Sequence, residues 1–121
     1  MTSNRKMFRG DKYEFDATIL NYDGNPLDLT GSVLRFTAKW DIRDLDAAAV
    51  ISKTTTGGGI VINSATAGTV TVTILPADTV ALPSDEVVLF YDLQVNSSPT
   101  VNYTVMYGKL RVLPDASITA P

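Results

Sequence analysis

The chemistry open to this sequence rests on its carboxylates, eleven Asp and two Glu, because it holds no histidine and no cysteine. That absence removes His-based general bases, serine triads, cysteine nucleophiles, thiolate or imidazole zinc sites and disulfides. Two carboxyls suffice for glycoside hydrolysis, and Asp85, Glu86 and Asp92 are the candidates. They sit at or in a segment that reads as a structural strand, and 121 residues with short loops leave little material for a cleft. Asp41, Asp44 and Asp46 crowd one loop. Calcium takes about six to eight oxygens at a fixed spacing, and the run Asp44-x-Asp46-x-Ala48 breaks it, so these read as solvated capping aspartates. Gly57-Gly58-Gly59 lacks the Lys and Ser or Thr of a phosphate loop. Arg9-Gly10-Asp11 spells the integrin-recognition tripeptide but stands directly before a strand, where Gly-Asp makes a turn. The expectation is a non-enzyme with no catalytic, cofactor-binding or metal-binding residue and no small-molecule substrate.

Binding is the remaining kind of function. Arg5, Lys6, Arg9 and Lys12 make the first residues basic, with Met7 and Phe8 among them. The rest is acidic: residues 54–108 hold no base against four acids. The net charge of −3 and a pI near 4.7 argue against nucleic acid. Such polarity suits an N-terminal arm, residues 1–11, docking on an acidic neighbouring copy. Arg5, Lys6, Met7 and Phe8 are the candidate subunit-interface residues, Met7 and Phe8 as apolar anchors. Removing residues 1–8 is then expected to spare folding and abolish assembly. A carbohydrate-binding module would need exposed aromatics, and Tyr22, Tyr103 and Tyr107 are the supply. Trp40 reads as core.

No apolar stretch follows the basic start, and none nears the roughly 20 residues of a membrane span, so a soluble protein made in a cytoplasm is expected, with no membrane partner. The triplets Asn96-Ser97-Ser98 and Asn102-Tyr103-Thr104 are then accidental glycosylation motifs.

The elements that must carry these residues are strands. Residues 12–20 alternate, with Tyr13, Phe15, Ala17 and Ile19 on one face. Asp23-Gly24 marks a hairpin turn, and Leu27-Asp28-Leu29 a short strand. Residues 33–40 alternate again, with Leu34, Phe36, Ala38 and Trp40 inward and Val33, Arg35, Thr37 and Lys39 outward. Residues 41–49 allow one or two helical turns, 50–55 a strand, and the three glycines a mobile loop. Ile60-Val61-Ile62 is apolar, and residues 69–75 place Val70, Val72 and Ile74 inward. Pro76 stops that strand and opens a turn of helix. Residues 87–95 put Leu89, Tyr91, Leu93 and Val95 inward, residues 96–100 make a loop, and residues 101–112 form the last strand or pair, with Gly108 as its bulge.

Seven or eight short strands with turns between them argue an all-β fold, a sandwich or barrel and not a parallel α/β sheet. The apolar share of 45% provides one core. The expected organisation is the arm 1–11, one sandwich domain over 12–113 and a tail over 114–121, with Phe36 and Tyr91 in the core.

Read together, Phe8-Arg9-Gly10-Asp11, Asp23-Gly24-Asn25-Pro26-Leu27-Asp28-Leu29-Thr30-Gly31 and Leu34-Arg35-Phe36-Thr37-Ala38-Lys39 resemble the N-terminal immunoglobulin-like domain of phage baseplate upper proteins. Lys53-Thr54, Gly68-Thr69-Val70-Thr71-Val72, Pro76-Ala77-Asp78-Thr79, Tyr91-Asp92-Leu93-Gln94-Val95 and Gly108-Lys109-Leu110-Arg111-Val112 extend the resemblance over residues 8 to 115. It implies an immunoglobulin-like antiparallel β-sandwich of about seven or eight strands, and a non-catalytic virion protein of a tailed phage, associated with tail, baseplate or neck. Its partners would be other virion structural proteins and further copies of itself in a symmetric assembly. Longer members of that family continue into a coil and a C-terminal domain, whereas this sequence ends at Pro121. A stand-alone module is therefore expected, with capsid decoration as the alternative within the class.

Overall fold

Wherever apolar and polar side chains alternate in the sequence, the chain is extended, and the apolar phase of each strand turns to one interior. The computed structural model describes residues 3–21, 23–45, 48–83, 85–98 and 101–114. The elements are β1 (Arg5–Phe8), β2 (Tyr13–Thr18), β3 (Val33–Lys39), β4 (Ile51–Thr54), β5 (Ile60–Ser64), β6 (Thr69–Ile74), α1 (Pro76–Thr79), β7 (Val87–Ser98) and β8 (Val101–Leu113). They form a five-stranded sheet, β1-β8-β7-β3-β4, and a three-stranded sheet, β2-β6-β5. The second, sixth and fifth strands in one layer and the third, seventh and eighth in the other are the arrangement of an immunoglobulin-like sandwich.

The core lies between the sheets. Phe15 and Ala17 of β2, with Val70, Val72 and Ile74 of β6, face Leu34, Phe36 and Ala38 of β3 and the odd-numbered residues of β7 from Val87 to Val95. Phe36 is 1% exposed and Tyr91 4%, so both expected core positions hold. Three rings bridge the layers: Phe15 meets Phe36 edge-on at 5.9 Å, and Phe36 stacks on Tyr91 at 5.3 Å.

Short connections fix the ends. The Asp23-Gly24 turn is closed by a Leu20–Pro26 bridge. Gly68 is needed where it stands: its φ is +68°, and a Cβ would lie 2.7 Å from the Ile19 carbonyl oxygen and 2.8 Å from that of Leu27. Pro76 opens α1, as expected. The Asp78 carboxylate accepts the Leu75 N–H at 2.7 Å and meets Lys53 Nζ of β4 at 2.7 Å, linking α1 to the other sheet's edge.

Several sequence expectations are corrected. The sandwich does not begin at residue 12: β1 pairs with β8 in register Arg5–Leu110 to Phe8–Leu113, so part of the expected arm belongs to the domain. That ladder is parallel, the one exception among otherwise antiparallel pairings of the described strands. Trp40 is 47% exposed, because β3 ends at Lys39 and the inward phase ends with it. One bulge of the β7–β8 ladder falls at Val105, where the register passes from Leu93–Met106 to Gln94–Thr104, and a second shift lies between Asn96 and Ser98; neither is at Gly108, which pairs with Tyr91. Residues 27–29 are not a strand, and the described part of 41–49 holds single i to i+3 turns, with 3₁₀ geometry at Ala48, but no α-helix. β7 runs to Ser98, shortening the expected loop, whose positions 99 and 100 lie outside the described residues, as do 46, 47 and 115–121.

Candidate interaction surfaces

The carboxylates do not converge. Asp85 and Glu86 precede β7, while Asp92 stands within it on the outer face of the five-stranded sheet. Glu86 accepts Arg111 Nε at 2.7 Å, and that hydrogen bond raises the guanidinium's pKa. Asp41 holds Arg43 at 3.0 Å, and the guanidinium, then the Arg43 N–H, pull the carboxyl below its ordinary range. Asp44 is turned to the Asp41 backbone N–H, and Asp46 lies outside the described residues. Among the described residues no three acidic groups are placed to share a metal ion. The Arg9-Gly10-Asp11 segment is a turn tied to the end of α1: Arg9 Nη1 donates to the Val80 carbonyl at 2.7 Å and the Gly10 N–H to Thr79 Oγ1 at 2.9 Å.

The four expected interface residues divide between two sides of β1. Met7 is 3% exposed and packed in the core, so it is no external anchor. Arg5 also turns inward; its guanidinium lies over the Phe15 ring at 3.7 Å and reaches the Tyr13 hydroxyl at 3.5 Å. Lys6 and Phe8 alternate outward, Phe8 being 47% exposed. Just before β1, Ser3 donates its N–H to the Tyr107 carbonyl at 2.8 Å and accepts the Tyr91 hydroxyl. Gly108 makes this approach feasible, since a Cβ there would overlap the Ser3 carbonyl. The expected free arm is therefore corrected to a seated edge strand, held by register and by burial.

What remains is surface, and the two outer faces differ. On the five-stranded sheet the outward positions place Lys6 beside Arg111. Lys109, Phe90 and Lys39 form one row across β8, β7 and β3. Arg35 stands four residues from Lys39 on β3, on the same face with Thr37 between them. Against these five bases stand Asp92 and Glu86. A groove of about 600 Å³ crosses this face, lined by Thr37, Lys39, Ile42, Phe90, Tyr107 and Lys109 among others. The loop after β3 overhangs it, fixed by Lys39 Nζ donating to the Asp44 carbonyl at 2.7 Å. Trp40, Ile42 and Leu45 of that loop are exposed. On the three-stranded sheet the outward row carries Glu14, Asp16, Thr71 and Thr73. Thr71 donates to Asp16 at 2.7 Å and Thr73 to Glu14 at 3.0 Å. No base occupies an outward strand position there; Lys12, just before β2, is 3.7 Å from Glu14. Val61 of β5 is an exposed apolar residue of that face.

The basic rows escape sequence reading, because Lys6, Arg35, Lys39, Lys109 and Arg111 become neighbours only through the β3–β7–β8–β1 register. The local signal is a pair of bases on the outward phase of each strand, Arg35 and Lys39 on β3 and Lys109 and Arg111 on β8. Tyr107 is exposed at the groove; Tyr103 is exposed at the far end of the β7–β8 hairpin, beside Leu20; Tyr22 lies outside the described residues. The chain matches no protein-family model and no curated protein sequence.

Proposed function

We propose that this chain is a non-catalytic structural module of a tailed-phage virion, associated with tail, baseplate or neck, and that it works by contacts with other virion proteins and with copies of itself. The observation that carries the reading is the strand order of an immunoglobulin-like sandwich, the fold that the resemblance of residues 8 to 115 implies. Among the described residues Glu14, Asp16, Asp41, Asp78 and Glu86 each take a separate local partner, which suits a protein that acts through surfaces. Quantitative mass spectrometry of purified virions tests this. Many copies per particle are expected, and labelling in intact particles separates a tail position from capsid decoration. Absence from particles would refute it.

One observation favours a second reading. Tyr107, 51% exposed, stands at a groove with Thr37, Asp92 and Gln94, an aromatic face beside hydrogen-bonding groups that suits a saccharide. Glycan-array binding lost on Tyr107→Ala with the fold intact would establish a carbohydrate- or receptor-binding module instead.

A further inference from the structure

The two outer faces are complementary in charge, and they belong to opposite sides of one molecule. We propose that the outer face of the five-stranded sheet of one copy docks on the outer face of the three-stranded sheet of a second copy, head to tail. This rests on reading the chain as an assembling module, and it names the surfaces that assembly uses.

Three features fit the faces to each other. The first is charge: outward bases outnumber acids on the larger sheet, five against Asp92 and Glu86, whereas Glu14 and Asp16 dominate the smaller. The second is spacing. Glu14 and Asp16 are two residues apart on β2, as Lys109 and Arg111 are on β8. Both pairs therefore repeat at about 6.7 Å along their strands, so one acid can lie over each base. The third is shape. The larger sheet carries the groove floored by Phe90 and Tyr107, and the smaller carries Val61, 54% exposed, an apolar knob that the groove can cover.

Like faces do not meet this way. Two copies joined by their larger sheets would bring base rows against base rows, and joined by their smaller sheets, acid against acid. A contact between unlike faces leaves one face of each type open, so it propagates into a ring or a filament. Its size keeps it weak. Three strands about 4.8 Å apart and about 20 Å long offer a face of roughly 14 by 20 Å. That is well short of the roughly 800 Å² per partner of a standard interface, so the contact becomes firm when repeated on a scaffold.

The test uses the full chain and a charge exchange. Sedimentation velocity of the wild type at about 20 mM salt should show association as the protein rises from about 10 µM to 1 mM, reversed at about 0.5 M salt. Arg35→Glu with Lys109→Glu makes both faces acidic, and Glu14→Lys with Asp16→Lys makes both basic. Each double variant alone should associate at least about tenfold more weakly, and an equimolar mixture should regain wild-type association. Thermal melting of each variant confirms its fold. A wild type that stays monomeric throughout, a folded double variant that associates as well as wild type, or a mixture of folded variants that stays monomeric would overturn the proposal. Should the protein be abundant in virions yet show any of these, the contact fails and the structural-module reading stands.

Discussion

Removing residues 1–8 tests whether β1 is a seated strand or a loose arm. A loose arm, as the sequence suggests, would leave folding intact when removed; a β1 seated beside β8 predicts a loss of stability. Three contributions disappear together. Met7, 3% exposed, leaves the core, worth about 1.5–3 kcal/mol of apolar burial. The Tyr91 hydroxyl loses the Ser3 carbonyl, and a buried group left unpaired costs about 1–3 kcal/mol. The Arg5 guanidinium leaves the Phe15 ring, about 0.5–1 kcal/mol. Together these come to about 3–7 kcal/mol, against a total of about 5–15 kcal/mol for a domain. Each kcal/mol moves the midpoint by several degrees in a chain this size, so Tm should fall by more than about 10 °C. Circular dichroism melts and urea titrations of full-length and truncated protein measure it, with Met7→Ala as the single-residue control. A truncated chain melting within about 3 °C of full length would show that β1 contributes nothing and that the arm reading is right.

Phe36→Ala opens a void between Phe15 and Tyr91 and should cost about 3–5 kcal/mol in urea unfolding; a loss under about 1 kcal/mol would refute its place in the core. Asp78→Ala removes both the Leu75 N–H acceptor and the partner of Lys53, whose side chain is 15% exposed, and should destabilise by about 1–3 kcal/mol. Wild-type stability after that change would mean the link between α1 and β4 is idle. The Asp41 carboxyl is held below 3.8 by Arg43, so its contribution is present above that value and fades as pH falls through the lowered one. Carboxyl NMR titration should show this depression and its loss in Arg43→Ala; an unchanged titration would remove the guanidinium as its cause.

The central strands were legible because alternation has a period of two and needs no partner to be seen. Phe15, Phe36, Val72 and Tyr91 all declare their face this way. β1 was not legible. Four residues, Arg-Lys-Met-Phe, carry one buried side chain of apolar type, and no single turn joins them to their partner β8, whose paired residues lie 105 positions further along the chain. Gly108 misled for a related reason: the close approach that excludes a side chain comes from Ser3, at the other end of the chain. Trp40 kept the inward phase in sequence but fell one residue beyond the strand. The polarity of the two faces was hidden longest, since neither base row is contiguous and only the pairing register assembles it.

The parallel pairing of β1 with β8 decides how the domain answers a pull. β1 enters at the end where its partner Leu110 sits and β8 leaves past Leu113, so traction between residues 3 and 114 runs along both strands in opposite senses. The ladder is then sheared instead of unzipped. Its four residue pairs and the Ser3–Tyr107 hydrogen bond share the load and must give way together. Forced opening depends on the height of that barrier rather than on equilibrium stability. A domain of modest thermodynamic stability can therefore serve as a stiff link under tension, provided the tension reaches it through its two ends.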